Sequence, residues 1–174
     1  MKLQPEMRLV KTPLNRHTFK VEPIRRIVEA ECCGLVLNLF AGVTKLSVNE
    51  IRNDLRKETP AKYHLDALDF VKHWHDVEER LFDTVILDPP YSYRKSMEMY
   101  RGAKNSRFKR VKDLLPNIMS SDGRVITFGY HSISMGRRRN FKVVKIVLFS
   151  HGGAIHDTIM SVEQRFRRVK GLLS

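Results

Sequence analysis

Near its midpoint the chain contains Thr84-Val85-Ile86-Leu87-Asp88-Pro89-Pro90-Tyr91, an apolar run followed by an acid, two prolines and an aromatic ring. The apolar run predicts a strand that is buried on both faces, as in a parallel sheet. Ligands of open α/β sheets bind beyond the carboxyl ends of strands, which makes Asp88 and Tyr91 candidate site residues. The prolines fix φ and remove backbone donors, so this segment is rigid. A plain strand-to-loop turn is the alternative, but adjacent prolines arise by chance at only about one position in 400.

A second candidate segment follows an earlier apolar run at residues 35–40. It is Asn38-Leu39-Phe40-Ala41-Gly42, whose small residues would let a ligand approach backbone N–H groups closely. Taken alone, an Ala-Gly pair after a strand is usually just a turn. The segment does not match GxGxxG, so it does not indicate a dinucleotide-binding fingerprint. Together with residues 88–91 it predicts a ligand site at the carboxyl edge of one sheet.

Strands and helices alternate around these segments, which predicts an α/β fold with a mostly parallel sheet. We expect seven strands, the last two antiparallel because their connection is too short for a crossover. One domain is expected over residues 1–174, with residues 1–33 as a lead-in and a first helix that Gly34 ends. The predicted strands are residues 35–40, a segment within 46–54, 63–65, 84–87, 124–128, 141–150 and 158–166. The predicted helices are residues 24–32, 66–81 and 108–119, with a turn at 121–123.

Composition excludes several classes of protein. Hydrophobic residues make up 42% of the 174, too many for a disordered chain. No apolar run approaches the ~18 residues of a membrane span, and the N-terminus lacks the apolar core of a signal peptide. The two cysteines, Cys32 and Cys33, are adjacent and cannot link distant segments. We therefore expect a reduced, cytoplasmic globular protein without membrane association.

Positive charge is concentrated in the second half of the chain. Residues 1–91 contain 14 basic and 14 acidic side chains, whereas residues 92–174 contain 18 basic and 5 acidic ones, so the net charge of +13 lies entirely in the second half. A solvated face would account for one short basic run. Three runs with interleaved aromatic residues indicate a polyanionic partner, nucleic acid in the first place. The candidate nucleic-acid contacts are Arg107, Lys109, Arg110, Arg137, Arg138 and Arg139.

The seven histidines do not form a recognisable metal-binding pattern. No CxxC, HxxxH or HExxH spacing occurs in the sequence. Isolated histidines are more often exposed or satisfied in the core than bound to a metal ion. We therefore expect no metal site.

The two segments, in this order and at this spacing, resemble those of class I S-adenosylmethionine (SAM)-dependent methyltransferases. Residues 88–91 are similar to the Asp/Asn/Ser-Pro-Pro-Tyr/Phe/Trp signature of the branch that methylates exocyclic amines of nucleobases. The resemblance covers nearly the whole chain and implies a Rossmann-like methyltransferase fold with SAM as the cofactor. One departure concerns the first crossover: the family has a second glycine and a full helix after the position of Gly42, whereas residues 43–46 lead almost directly into the next strand.

The resemblance also implies roles for single residues in cofactor binding. The first segment would hold the methionine part of SAM, with Phe40 and Ala41 on the adenosine side. An acidic residue at the end of the second strand would hold the ribose hydroxyls; Asp54 is the candidate, with Glu50 as the alternative. The implied cofactor contacts are Phe19, Lys20, Asn38, Phe40, Ala41, Gly42, Asp54, Asp66, Ala67 and Asp88.

Methylation of an amine suits the chemistry of residues 88–91. The exocyclic amine of adenine or cytosine is a poor nucleophile because its lone pair is conjugated with the ring. Asp88 and a backbone carbonyl near Pro89 would accept its two N–H bonds and direct the lone pair at the donor methyl group. Tyr91 would stack on the flipped base. The catalytic candidates are Asp88, Pro89, Pro90 and Tyr91.

RNA is favoured over DNA as the substrate. DNA methyltransferases of this branch resemble one another in carrying a separate target-recognition region, and here the catalytic fold occupies nearly the whole chain. Specificity would then come from substrate shape, which structured RNA offers. The chain is similar to small archaeal-type ribosomal RNA methyltransferases acting on cytosine N4, so ribosomal RNA or a ribosomal subunit is the expected partner, with adenine N6 as the other target. The alternatives are DNA adenine N6 or cytosine N4 methylation, a non-catalytic RNA-binding module, and protein glutamine methylation.

Overall fold

A central sheet organises the fold in a computed structural model that describes residues 4–89, 107–153 and 156–166. Its strands are β1 (Glu6–Lys11), β2 (Val36–Asn38), β3 (Glu50–Arg52), β4 (Phe82–Leu87), β5 (Met119–Gly129), β6 (Phe141–Ser150) and β7 (Thr158–Arg165). The helices are α1 (Glu22–Glu31), α2 (Ala67–Val77) and α3 (Arg107–Leu114), and short 3₁₀ helices lie at Thr18–Lys20, Leu115–Ile118 and Arg137–Arg139.

The strand order across the sheet is β1-β6-β7-β5-β4-β2-β3. Neighbouring strands are parallel except at β7, which is antiparallel to both β5 and β6. This arrangement confirms the prediction of a mostly parallel, seven-stranded α/β sheet with an antiparallel C-terminal pair. It brings the carboxyl ends of β2, β3 and β4 to one edge of the sheet.

One of the seven strands is not the one predicted. Residues 63–65 were wrongly assigned: Tyr63 makes only an isolated bridge to Asn53. The Asn53 side chain replaces the ladder there, since its Oδ1 accepts from Leu65 N–H (3.1 Å) and its Nδ2 donates to Leu65 O (3.0 Å). The seventh strand is instead β1, which pairs with β6 at the opposite edge. Residues 6–9 alternate charged and apolar side chains, which is a strand pattern, but no strand was predicted there.

Two boundaries in the second half also differ from the prediction. Helix α3 ends at Leu114, before the predicted residue 119, and continues as a 3₁₀ helix at Leu115–Ile118. The cause is Pro116, which lacks a backbone N–H and cannot sit inside an α-helix. The predicted turn at 121–123 belongs to β5, whose pairing register with β4 shifts between Phe82 and Thr84.

Local sequence explains where α2 lies and how the chain approaches β2. Asp66 is the N-cap residue of α2, and its side chain accepts a hydrogen bond from Leu68 N–H at 2.9 Å. Gly34 does not end α1, which stops at Glu31; it adopts φ +57° beside Asp83. A Cβ on Gly34 would overlap the Asp83 carboxylate, which accepts from Leu35 N–H at 2.9 Å.

Helices cover both faces of the sheet. Helices α2 and α3 pack on one face, around an apolar cluster that includes Phe70, Trp74, Phe82 and Phe108. Helix α1 packs on the other face, against a cluster that contains residues of β4 to β7. Within the described parts of the chain, no helix combines the length and apolar character that crossing a bilayer requires. Each face of the sheet therefore has its own core. The carboxyl edge of β2, β3 and β4 lies between the two cores and can hold a site.

Candidate functional site

A cavity of about 880 Å³ lies at the carboxyl edge of β2, β3 and β4. Its walls come from the loops after these strands and from residues 14–19, which connect β1 to α1. The volume is within the range of small-molecule sites. The predicted site residues that line it are Phe19, Phe40, Ala41, Gly42, Asp54, Asp66, Ala67, Asp88 and Pro89.

Among the described residues, two of the implied cofactor contacts do not form the walls. Lys20 is exposed at the end of the 3₁₀ helix Thr18–Lys20, and only its neighbour Phe19 reaches the cavity. Asn38 is fully buried at the end of β2 and does not line the cavity. Pro90 and Tyr91 lie outside the described residues.

The loop after β2 presents backbone to the cavity at Gly42. Gly42 has φ +57°, and a Cβ at this position would meet no atom within 4 Å. Its N–H donates to Asp54 Oδ2 (2.8 Å), and its carbonyl accepts from Arg52 Nη2 (2.9 Å). Arg52 Nη2 also donates to Ala41 O (3.2 Å). The side chains of Arg52 and Asp54 therefore fix the loop, and the space beside the Gly42 Cα is open.

Glu50, one candidate for the ribose contact, instead binds buried groups beneath the loop after β2. Its Oε2 accepts from Asn38 Nδ2 (3.0 Å) and its Oε1 from Leu46 N–H (3.0 Å). Arg52 Nε lies 3.6 Å from Oε1, and both charged side chains are buried. A buried charge is stable only when it is paired and hydrogen-bonded, so this cluster belongs to the scaffold. Arg52 was missed in the sequence, although a lone cation inside a predicted strand was a usable signal.

Asp54, the other candidate, lies in the cavity wall and links two loops. Its Oδ2 accepts from Gly42 N–H, while its Oδ1 accepts from Arg56 N–H (3.0 Å) and Arg56 Nε (3.1 Å). Burial by itself would raise the pKa of Asp54, but the hydrogen bonds from Arg56 and Gly42 outweigh it and hold the pKa below its ordinary value. The carboxylate is therefore ionised near neutral pH and fixes the loop after β2 to the loop after β3.

This link predicts a pH-dependent contribution to stability. A depressed carboxyl pKa stabilises the folded state above the ordinary value of 3.8 and loses that effect as pH falls through the lowered value. We expect the stability advantage of the wild type over Asp54→Asn to be constant above about pH 5 and to shrink below pH 4. Urea unfolding of both proteins across this range measures it, with the exposed Glu58→Gln as the control from the same loop. An advantage that does not change with pH would contradict the assignment.

Asp66 connects the cavity to α3. Its Oδ1 accepts the capping bond from Leu68 N–H and also contacts Arg107 Nη2 at 2.8 Å. Arg107 lies 3.6 Å from Asp69 as well, so this cation is paired with two carboxylates of the α2 N-terminus. Ala67 follows on the first turn of α2 and lines the cavity beside Asp66.

Asp88 and Pro89 lie where β4 leaves the sheet. Strand β4 is held on one side by β2 and on the other by β5, and Leu39 N–H donates to Ile86 O (3.2 Å) near the site. Asp88 is half-buried, Pro89 is buried, and both line the same cavity as the loop after β2. The two segments singled out from the sequence therefore share one cavity.

The six candidate nucleic-acid contacts fall into different environments. Arg107 is paired as described, and Arg139 is only 13% exposed and lies 2.7 Å from Asp113. Arg110, Arg137 and Arg138 are exposed, and Lys109 is half-buried. Arg107 and Arg139 are thus the two candidates that pair with nearby acids, and the assignment of the six residues to nucleic-acid contact stays a prediction.

The two cysteines are not among the residues that line this cavity, whereas His17 is. Burial raises the pKa of Cys32 to about 12, and the neighbouring charges of Cys33 and Glu50 act in the same direction. Cys33 contacts Thr84 through its backbone N–H (3.0 Å). Among the described residues, no group of three or more His, Cys, Asp or Glu side chains could hold a metal ion.

Comparison with known proteins identifies the fold by structure and not by sequence. Neither protein-family models nor curated protein sequences give a match. The structure resembles SMU.776, crystallised with S-adenosylhomocysteine (SAH), with a TM-score of 0.56 and 13% identity over 82% of this chain. It also resembles the N-methyltransferase NodS from Bradyrhizobium japonicum WM9, with a TM-score of 0.57, 10% identity and coverage of 84% of this chain and 98% of NodS.

A third solved structure has the same fold. It is the 1,6-didemethyltoxoflavin-N1-methyltransferase of Burkholderia thailandensis with bound SAH, at a TM-score of 0.55 and 12% identity, over 84% of this chain and 78% of that one. The present chain spans 48% of SMU.776, so the similarity to that protein concerns about half of its length. The fold is thus the Rossmann-like fold of these methyltransferases.

Proposed function

We propose that this chain is a SAM-dependent methyltransferase that methylates an exocyclic amine of a nucleobase in RNA, with ribosomal RNA as the first candidate substrate. The observation that carries the proposal is the shared cavity, which both the loop ending at Gly42 and the segment that begins with Asp88 line. Cytosine N4 is the favoured position and adenine N6 the second. The methyltransferase fold supports methyl transfer as the reaction. The residues at the cavity support the exocyclic amine of a nucleobase as the acceptor.

The cavity fits SAM by its size and by its lining. The open space above Gly42 suits close approach of a ligand to the backbone, and the ionised Asp54 lies in the adjoining wall. Phe40 and Ala41 would contact the adenosine side, with Asp66 and Ala67 near the adenine amine. When bound, SAM supplies an electrophilic methyl group on a sulfonium centre.

Asp88 is the residue proposed to act on the substrate amine. Its carboxylate would accept one N–H of the amine, and the backbone carbonyl near Pro89 would accept the other. These two acceptors favour a pyramidal nitrogen and orient its lone pair. The amine becomes acidic only after methylation, so no strong base is needed. Tyr91 is proposed to stack on the base.

The excess positive charge supports a nucleic acid as the substrate. The net +13 of residues 92–174 is a field that favours a polyanion, because neutralised phosphates release counterions. Arg110, Arg137 and Arg138 are exposed and belong to this half of the chain. A cytoplasmic location agrees with ribosomal RNA as the substrate.

Transfer of tritium from labelled SAM tests the proposal directly. The protein is incubated with total RNA, genomic DNA or a protein extract, and the labelled product is digested and separated by chromatography. We expect label in RNA, as N4-methylcytidine or N6-methyladenosine. Label in deoxynucleosides would assign the DNA alternative, and label in glutamine would assign protein methylation. Calorimetry that shows no heat at millimolar SAM would leave a non-catalytic RNA-binding module.

A further inference from the structure

The loop at residues 130–136, after β5, is held by a buried carboxylate from another strand. Glu163 on β7 is fully buried, and its Oε2 accepts from Ser134 N–H (2.9 Å) and Met135 N–H (2.7 Å). Its Oε1 accepts from Gly136 N–H (2.8 Å). Three consecutive backbone amides thus donate to one ionisable group, and bonds of this charge-assisted kind are stronger than neutral ones. Glu163 fixes the course of the chain just before the 3₁₀ helix Arg137–Arg139.

Two cations attach the same loop to α3. Lys112 Nζ donates to Ser134 O (3.2 Å), and Arg139 Nη1 donates to Met135 O (2.9 Å). Arg139 also pairs with Asp113 of α3. Burial and the nearby Arg139 lower the pKa of Lys112, while the charge of Glu163 acts in the opposite direction. The buried Glu163 carboxylate is therefore balanced by cations that also hold the loop.

This support leaves two arginines facing solvent. The short helix Arg137–Arg139, called the arginine turn below, lies between Gly136 at φ +70° and Asn140 at φ +65°. The positive φ angles at both ends set the direction in which the backbone enters and leaves the turn. Arg139 points back to Asp113, whereas Arg137 and Arg138 are exposed. The turn therefore presents two cations on a backbone fixed from inside.

Helix α3 connects the arginine turn to the cavity. Arg107, its first residue, contacts the cavity residue Asp66, and Asp113 near its other end contacts Arg139. Six residues separate these positions, a distance of about 9 Å along the helix axis. Arg110 is exposed and lies one turn before Asp113, on the same side of the helix. Helix α3 thus links the cavity edge to the exposed Arg110 and to the arginine turn.

We propose that Glu163 is a positioning residue, which presents Arg137 and Arg138, together with Arg110, as a docking site for the phosphodiester backbone of RNA. The backbone would follow α3 away from the cavity that takes the target base. Arg107 and Arg139 hold the scaffold and do not contact phosphate. The inference rests on the proposed function, because it assigns an RNA strand to the same cavity.

Removing the two exposed cations of the turn tests the docking site. The double variant Arg137→Ala/Arg138→Ala should bind an unstructured, fluorescein-labelled RNA oligonucleotide about tenfold more weakly in fluorescence anisotropy. The loss of two phosphate contacts should also make the fall in affinity between about 50 and 200 mM KCl about sevenfold smaller. The control Arg8→Ala/Arg26→Ala removes the same charge from exposed residues on the α1 side of the sheet and should change both values little. Equal effects of the two double variants would overturn the proposal.

Replacing the buried carboxylate separates positioning from long-range electrostatics. Glu163→Gln removes a negative charge, so a general field effect would strengthen RNA binding. The amide cannot accept on both sides, so the loop loses part of its support. We expect RNA binding to weaken about three- to tenfold, with a smaller salt dependence although no cation is removed. Tighter binding with an unchanged salt dependence would refute the role of Glu163.

Further measurements distinguish failure of this inference from failure of the proposed function. Thermal unfolding and SAM calorimetry of Glu163→Gln report on folding and on the cavity, and we expect SAM affinity to stay unchanged. If the wild type methylates RNA but the arginine turn variants bind it normally, only the docking site is wrong. If the wild type binds a labelled DNA oligonucleotide of the same sequence in preference to the RNA, the docking site belongs to a different substrate. If no nucleic acid binds, both proposals fail.

Discussion

We expect Asp88→Ala to lower methyl transfer to RNA by about 10²- to 10³-fold and to leave RNA binding unchanged. The reason lies in the position of the side chain at the end of β4, where it lines the cavity and not the cationic surface. In the proposed reaction a carboxylate here would accept an N–H of the target amine and orient the nitrogen lone pair, and alanine would remove that acceptor without changing the sheet. Single-turnover transfer from tritiated SAM measures the effect on the chemical step.

Two further variants show whether acceptance of the amine N–H is the cause. Asp88→Asn keeps an acceptor oxygen and loses the charge, so we expect a rate between those of the wild type and alanine. The resemblance to the Asp/Asn/Ser-Pro-Pro signature leads to the same expectation. Asp76→Ala removes an exposed carboxylate from α2 and should leave turnover unaltered. Wild-type turnover in Asp88→Ala would show that the site assignment is wrong.

The cavity could be predicted because local patterns determine its parts. An apolar run such as residues 84–87 marks a buried strand, and the residues that follow must emerge at its carboxyl end. Parallel pairing of β2, β3 and β4 then brings the segments at Gly42, Asp54 and Asp88 to one edge. Asp66 follows the same logic, because an aspartate before an apolar helical pattern is a typical N-cap.

The contacts between segments far apart in the sequence could not be predicted in this way. Glu163 binds residues 134–136, and Arg52 supports Ala41 and Gly42, but no local period indicates either pairing. The available signal was a charged residue inside a strand pattern, which shows that a buried partner is needed without identifying it. Charge counts likewise could not separate Arg139, which pairs with Asp113, from the exposed Arg138.

Trp74→Ala lowers the free energy of unfolding by about 3–5 kcal/mol, the largest effect on stability that we expect from one substitution. Trp74 is fully buried on α2, with its ring 4.6 Å from that of Phe82 and 5.6 Å from that of Phe70. Its Nε1 donates to Arg80 O (2.9 Å), so the residue also holds the connection to β4. Alanine leaves a large void and an unpaired carbonyl, and a domain has only about 5–15 kcal/mol of stability in total.

Urea unfolding monitored by circular dichroism measures this loss, and two variants identify its cause. Val77→Ala, at a position 65% exposed on the same helix, should change stability by no more than about 0.5 kcal/mol. Trp74→Phe keeps part of the ring contacts but loses the hydrogen bond and some buried volume, so its cost should lie between those of Val77→Ala and Trp74→Ala. Because α2 begins at Asp66 and Ala67 in the cavity wall, the folded fraction of Trp74→Ala should also bind SAM more weakly. A loss below about 1 kcal/mol would mean that the aromatic cluster repacks, and that α2 does not depend on Trp74 for its position over the sheet.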